Sequence, residues 1–210
     1  QLATGFGFTE GPLWHPEGYL YFVDIFASQL LKWSPDKGTV VARENTEQGN
    51  GTTFDLEGRL IMCEGGKHRL SRTEADGTVV TLVDRWQGKR LNRPNDVVCR
   101  SDGSIYFTDP GGRVPSEERE IDISGVHRVA PDGTISLATA DCDYPNGLAF
   151  SPDERILYVA NTRPDTYIRA FDVQPDGSLT NSRVFADVSG SEEGVPAGIK
   201  VDIEGRIFCT

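Results

Sequence analysis

Five residues recur at the head of one pattern. Glu10-Gly11, Asn50-Gly51, Asn95-Asp96, Asn146-Gly147 and Ala197-Gly198 each lead into a short apolar run. A tight turn follows each run, as in Pro16-Glu17-Gly18, Leu56-Glu57-Gly58, Ser101-Asp102-Gly103 and Ile203-Glu204-Gly205, and then comes a second apolar run. Four of the five heads carry a hard oxygen donor: one carboxylate and three amides. Gathered at one point, with no thiolate or imidazole among them, such donors favour Ca²⁺, Mg²⁺ or Mn²⁺ over a structural zinc. Turn capping by Asn or Glu explains the same residues without a ligand, and both readings stand at this point. Arg93, two residues ahead of Asn95, adds a cation beside the set. A guanidinium there can hold hydroxyls, a carboxylate or a developing oxyanion; a solvated loop arginine is the alternative.

The elements that must position these heads are strands. The heads stand at 10, 50, 95, 146 and 197, spacings of 40, 45, 51 and 51 residues, which is the period of a propeller or another array. A third strand is predicted at Leu30–Trp33, Arg69–Arg72, Val126–Val129 and Tyr167–Phe171. Each leads to a turn of the Asp-Gly type (Pro35-Asp36-Lys37-Gly38, Ala75-Asp76-Gly77, Pro131-Asp132-Gly133, Pro175-Asp176-Gly177) and a fourth strand. Asp-Gly between alternating apolar runs signals a hairpin. Four antiparallel strands in about 45 residues make a propeller blade, so the fold class is all-β. The first strand of each blade lines the channel, and the heads converge on one mouth of it. Residues 1–210 form a single domain in this reading, with four complete blades and a fifth that stops at Thr210, as though truncated at the C-terminal end. Pro110 to Gly125, rich in Gly, Pro, Ser and charge, is read as a loop overhanging that mouth, a lid or a mobile segment.

Composition narrows the function. A net charge of −11 without a basic cluster disfavours nucleic acid and anionic membrane surfaces as partners. No apolar run reaches the ~20 residues of a membrane span. Cys63, Cys99, Cys142 and Cys209 lack metal-ligand spacing and read as small hydrophobes of a reducing, cytoplasmic compartment, while a first residue other than methionine leaves room for a removed leader. His15, His68 and His127 fall in different blades and assemble no triad.

Four motifs carry a resemblance. Phe8-Thr9-Glu10-Gly11-Pro12, Asn92-Arg93-Pro94-Asn95-Asp96, Tyr144-Pro145-Asn146-Gly147-Leu148 and Pro196-Ala197-Gly198-Ile199-Lys200-Val201-Asp202 resemble, in order, the markers of the gluconolactonase, senescence marker protein (regucalcin) and luciferin-regenerating enzyme family. The resemblance implies a six-bladed β-propeller, of which this chain covers about four and a half blades, with one divalent cation at the channel mouth. Glu10 and Asn146 match metal ligands of that family, and Arg93 and Asn95 match positions that contact a sugar lactone. Asn95 is also assigned to the metal here, whereas Asn50 rests on the repeat alone. One position departs: the family has an aspartate, metal ligand and acid/base, where this chain has Ala197. The expected function is metal-dependent hydrolysis of sugar lactones, impaired at Ala197. Ca²⁺ is the first choice of ion, with Mg²⁺, Mn²⁺ or Zn²⁺ behind it, and a lactone or sugar acid is the small-molecule partner. The rivals are a non-catalytic binding propeller and a different chemistry on the same scaffold.

Overall fold

Glycine at positive φ turns the chain where the sequence places its hairpins: φ is 77° at Gly58 and 86° at Gly103. Between such turns lie strands, in a computed structural model that describes residues 2–190 and 194–210. The first sheet is β1 (Thr9–His15), β2 (Tyr19–Asp24), β3 (Gln29–Ser34) and β4 (Gly38–Arg43). The second is β5 (Gly49–Phe54), β6 (Leu60–Glu64), β7 (Arg69–Thr73) and β8 (Val79–Val83). A small ribbon follows, β9 (Arg85–Trp86) with β10 (Lys89–Arg90), which the sequence reading did not anticipate. The third sheet is β11 (Val97–Cys99), β12 (Ile105–Asp109), β13 (Gly125–Val129) and β14 (Ile135–Thr139). The fourth is β15 (Pro145–Phe150), β16 (Ile156–Asn161), β17 (Tyr167–Val173) and β18 (Leu179–Asp187). Finally β19 (Ile199–Val201) pairs with β20 (Ile207–Cys209). Every sheet is an antiparallel meander in chain order.

Burial grades across each sheet. In the second, every residue of β6 is buried, while β8 is at best half-buried. A strand covered on both faces needs a continuous apolar run rather than alternation, and Leu60-Ile61-Met62-Cys63 supplies it. The apolar cores lie between successive sheets. Val23 and Leu30 meet Leu60 and Met62; Ile61 and Leu70 meet Val97 and Phe107; Tyr106 and Val126 meet Leu148 and Leu157; Ala149 and Tyr158 meet Ile199. First strands also stand against one another in order: β1 on β5, β5 on β11, β11 on β15 and β15 on β19.

The segment between β12 and β13 is folded. It makes two 3₁₀ turns, Gly111–Arg113 and Ser116–Glu118, and buries Val114 and Ile121. Ile121 joins the core between the second and third sheets. Gly112 lies so close to the Tyr144 ring that a Cβ there would stand 2.5 Å from Cε2. Of the two sequence-based alternatives for this segment, the mobile loop is the one this packing disfavours.

Candidate functional site

At each head the first strand is irregular. The register of β1 on β2 shifts between Glu10 and Leu13, that of β5 on β6 between Gly49 and Thr52, and that of β15 on β16 between Pro145 and Leu148. In the third sheet two residues serve one: Asn95 N–H donates to Thr108 O (2.9 Å), and Thr108 N–H donates to Asp96 O (3.0 Å). The fifth repeats this, with Ala197 N–H to Thr210 O (2.8 Å) and Thr210 N–H to Gly198 O (3.1 Å). Such bulges re-aim a side chain away from the regular alternation.

The five heads are neighbours in sequence order. Thr52 Oγ1 donates to Gly11 O (2.8 Å), linking the first repeat to the second. Gly51 N–H donates to Asn95 O (2.8 Å), linking the second to the third. Thr108 Oγ1 donates to Asn146 O (2.7 Å), and Gly147 N–H donates to Ala197 O (2.9 Å). Three of the glycines after the heads, Gly11, Gly51 and Gly147, leave room for this approach. A Cβ at Gly51 would stand 2.8 Å from Asn95 O, and one at Gly147 would stand 2.7 Å from Ile199 N. Asp96 takes the glycine's place in the third repeat; its buried carboxylate accepts from Val97 N (2.9 Å) and Leu148 N (3.2 Å). Burial pushes the Asp96 carboxyl up from its usual range, with the positive charge of Lys200 opposing.

Asn50, Asn95 and Asn146 are buried, whereas Glu10 and Ala197 are half-buried. The Asn146 amide is oriented: Nδ2 donates to Thr162 Oγ1 (3.0 Å), which in turn donates to Pro196 O (3.0 Å). Its nitrogen being engaged, the amide oxygen is what Asn146 can offer a cation. Arg93 lies half-buried in the loop before β11 and is held at several points. Its backbone N–H donates to Asp109 Oδ1 (2.7 Å), its guanidinium to Gln48 Oε1, and its side chain crosses Gly65, where a Cβ would stand 3.0 Å from Cγ and Nε. Preceding it, Asn92 sends Nδ2 to Ile123 O (2.9 Å) and accepts from His68 Nδ1 at its carbonyl. His68 therefore anchors the Arg93 loop from the second sheet.

A second recurrence escaped the sequence reading. The last residue of each second strand is polar: Asp24, Glu64, Asp109 and Asn161. Three of these hold the loop that enters their own sheet. Asp24 accepts from Gly7 N (2.8 Å) and Phe8 N (3.2 Å); Asp109 from Asn92 N (2.8 Å) and Arg93 N; Asn161 Oδ1 from Tyr144 N (2.8 Å). Glu64 instead takes Arg69 Nε and Ser71 Oγ, both at 2.7 Å. Aligning Val23-Asp24, Cys63-Glu64, Thr108-Asp109 and Ala160-Asn161 was the available signal. Burial pushes the Asp109 carboxyl up to about 7, against the pull of its two backbone N–H donors. His127, stacked on Phe107 with Nε2 4.0 Å from Asp109 Oδ2, is held down to about 4 by its own burial.

Among the described residues no three His, Cys, Asp or Glu side chains gather to hold a metal. A cation at the heads therefore relies on amide oxygens beside Glu10. That donor set suits a hard ion in kind, and the engaged nitrogen of Asn146 presents an oxygen ready for one.

Comparison with known proteins follows the same line. The model for the SMP-30/Gluconolactonase/LRE-like region matches residues 8–210. Gluconolactonase of Zymomonas mobilis is 30% identical over 234 residues, spanning 100% of this chain and 66% of that protein. Pentonolactonase of Haloferax volcanii is 30% identical over 206 residues, spanning 95% and 65%. A solved gluconolactonase structure from Xanthomonas campestris superposes with a TM-score of 0.88 at 39% identity, covering 97% of this chain and 70% of that one. The chain thus spans about two thirds of the length of these curated relatives. Its ordered heads and their sheets belong to a member of the SMP-30/gluconolactonase/LRE-like family.

Proposed function

We propose that the chain is a hydrolase of sugar lactones, built on residues 1–210 as one β-propeller domain of the six-bladed kind. The observation that supports it most is the chain of contacts through all five heads, with oxygen donors at four of them. The names of the family relatives point the same way. Glu10, Asn146 and Asn95 hold one divalent cation, Ca²⁺ first by its preference for many oxygen ligands. Such an ion, when bound, supplies Lewis-acid polarisation of the lactone carbonyl and acidifies an attacking water. Arg93 and Asn95 orient the ring hydroxyls, and Asp109 and His68 keep the Arg93 loop in place. All four cysteines are free, which fits a reducing cytoplasm, and no helix among the described residues is long and apolar enough to cross a membrane.

Ala197 sets the rate. Its methyl group neither ligates nor accepts a proton, so this form is a slow catalyst. Its backbone is bonded on both sides, N–H to Thr210 O and O from Gly147 N–H, and its φ is not in the left-handed region that would resist a larger side chain. Ala197→Asp should therefore raise hydrolysis by at least about tenfold, a cautious share of the ~10²–10⁴ a general base contributes, and tighten the metal. Initial rates on a lactone panel, with and without chelator, check this. An aspartate form that binds the ion normally but gains no rate sinks the hydrolase reading. Ala197 itself would then favour the second reading, a propeller that binds a small molecule without turning it over.

A further inference from the structure

We propose that the cleft beside Arg93 is a second carbohydrate subsite, taking a glycosyl unit attached to the lactone, so that an aldobionolactone fits better than a monosaccharide lactone. The inference rests on the lactone site proposed above, with which it shares Arg93. The cleft, about 560 Å³, is lined by Phe26, Ser28, Glu47, Gln48, Gly66 and Arg93. That volume lies within the ~300–1,000 Å³ of pockets that enclose ligands of drug size, and the cleft lies to one side of the heads themselves.

Its wall is aromatic. Phe26, which lines it, is 77% exposed, and outside the lining the Phe8 ring lies behind it, centroids 5.7 Å apart and tilted by 36°. A phenyl face kept in water is costly unless something covers it. The platform is also fixed: Phe26 N and Ala27 N donate to Asp24 Oδ1 at 3.1 and 3.2 Å, and a Cβ at Gly7 would stand 3.0 Å from Phe26 Cβ. Opposite stand hydrogen-bonding groups, the Gln48 amide against the Arg93 guanidinium and the Glu47 carboxylate, itself 3.1 Å from Lys67 Nζ. Ser28, Glu47 and Gln48 all adopt left-handed φ of 55–56°, uncommon for residues with a Cβ. Three such residues around one cleft mark a surface shaped at some conformational cost, as ligand clamps are.

The chemistry selects the ligand. Of the residues that line the cleft, one is cationic, Arg93, and one is anionic, Glu47, so the lining itself lacks the cationic excess a phosphate needs. A flat apolar face with amide, guanidinium and carboxylate edges suits a pyranose, whose C–H face stacks while its rim hydroxyls both donate and accept.

The test uses the sugar acids, which bind without turnover. Calorimetry on the full chain with Ca²⁺ present compares gluconate with cellobionate. We expect cellobionate to bind at least about tenfold tighter, that is by about 1.4 kcal/mol. Phe26→Ala should abolish that advantage and leave gluconate binding within about twofold, while Phe26→Trp should keep it; the ring is exposed, so neither change threatens the fold. Arg93→Ala should weaken both ligands. Equal affinity of the native chain for the two acids overturns the subsite and leaves the lactone site standing. So does an advantage that survives Phe26→Ala, or one matched by a gluconate ester with an alkyl group in place of the glycosyl unit. Failure of cellobionate alone to bind overturns the subsite, and failure of both acids to bind overturns the lactone site and the subsite with it.

Discussion

At the scale of single residues, the candidate site is one carboxylate surrounded by amides. Glu10 carries the only formal charge among the five heads, so it should dominate the attraction for a cation, with Asn95 and Asn146 completing the oxygen set. Glu10→Gln removes the charge and keeps the shape. Calorimetric titration with Ca²⁺ should show it weakening binding by at least about tenfold, and more than Asn50→Ala does. Equal affinity for native and Glu10→Gln proteins moves the ion elsewhere. The heads were legible in the sequence because residue type and spacing recur together. Asp24, Asp109 and Asn161 were not, since a polar residue closing a strand reads as the beginning of a loop. Only the folded chain shows that their oxygens are buried and turned back on the segment entering the same sheet. Nor could spacing reveal that the second repeat's His68 bonds the Asn92 carbonyl of the third.

At the scale of elements, the glycines after the heads decide how closely sheets meet. Flexibility is not what Gly51, Gly147 and Gly198 provide, for none shows positive φ; Gly11 alone combines a φ of 58° with a close approach, to Asn50 O. At Gly147 a Cβ would press on Ala197 O, Ile199 N and Gly198 Cα, all backbone of the neighbouring strand. Gly147→Ala should force that strand away at a cost of about 1–3 kcal/mol, as overpacking does, and so lower Tm by at least about 2–4 °C in a chain of this size. Gly198→Ala is the control, its Cβ meeting only Thr210 Oγ1 at 3.5 Å. Differential scanning calorimetry reading the same Tm for both variants would show that close approach is not what selects glycine. The strands themselves were legible from turn chemistry, because Asp-Gly pairs announce positive φ. The β9–β10 ribbon was not: it turns on Gln87-Gly88, where Gln87 adopts φ of 52° with no signature of its own. The segment between β12 and β13 was half legible. Its Gly and Pro content marks a connection, but the burial of Val114 and Ile121 depends on surfaces supplied by other repeats.

At the scale of the whole molecule, two buried titratable groups oppose each other across the third sheet. The Asp109 carboxyl, raised by burial to about 7, binds its proton more readily in the folded chain than in the unfolded one. Alone, it makes stability fall as pH rises from its unfolded value, about 3.9, towards 7. His127, lowered by burial to about 4, is neutral in the folded chain and protonated in the unfolded one below about 6.5. Alone, it makes stability rise with pH between about 4 and 6.5. The slopes have opposite signs over the same window, so the pair together should flatten the profile there. The His127 ring stacks on Phe107 and meets Trp86 edge-on, so phenylalanine can take its place and keep that packing. In His127→Phe, stability measured by urea unfolding should decline relative to the native protein from pH 4 to about 6.5 and then level. In Asp109→Asn it should climb relative to the native protein from pH 4 to about 7 before levelling. Taking differences from the native chain removes the contribution of every exposed carboxylate. Parallel profiles for all three proteins would mean that neither group changes its protonation on folding. A decline confined to His127→Phe would show that His127 alone changes its protonation on folding, and that the Asn92 and Arg93 N–H groups suffice to keep Asp109 charged in the fold.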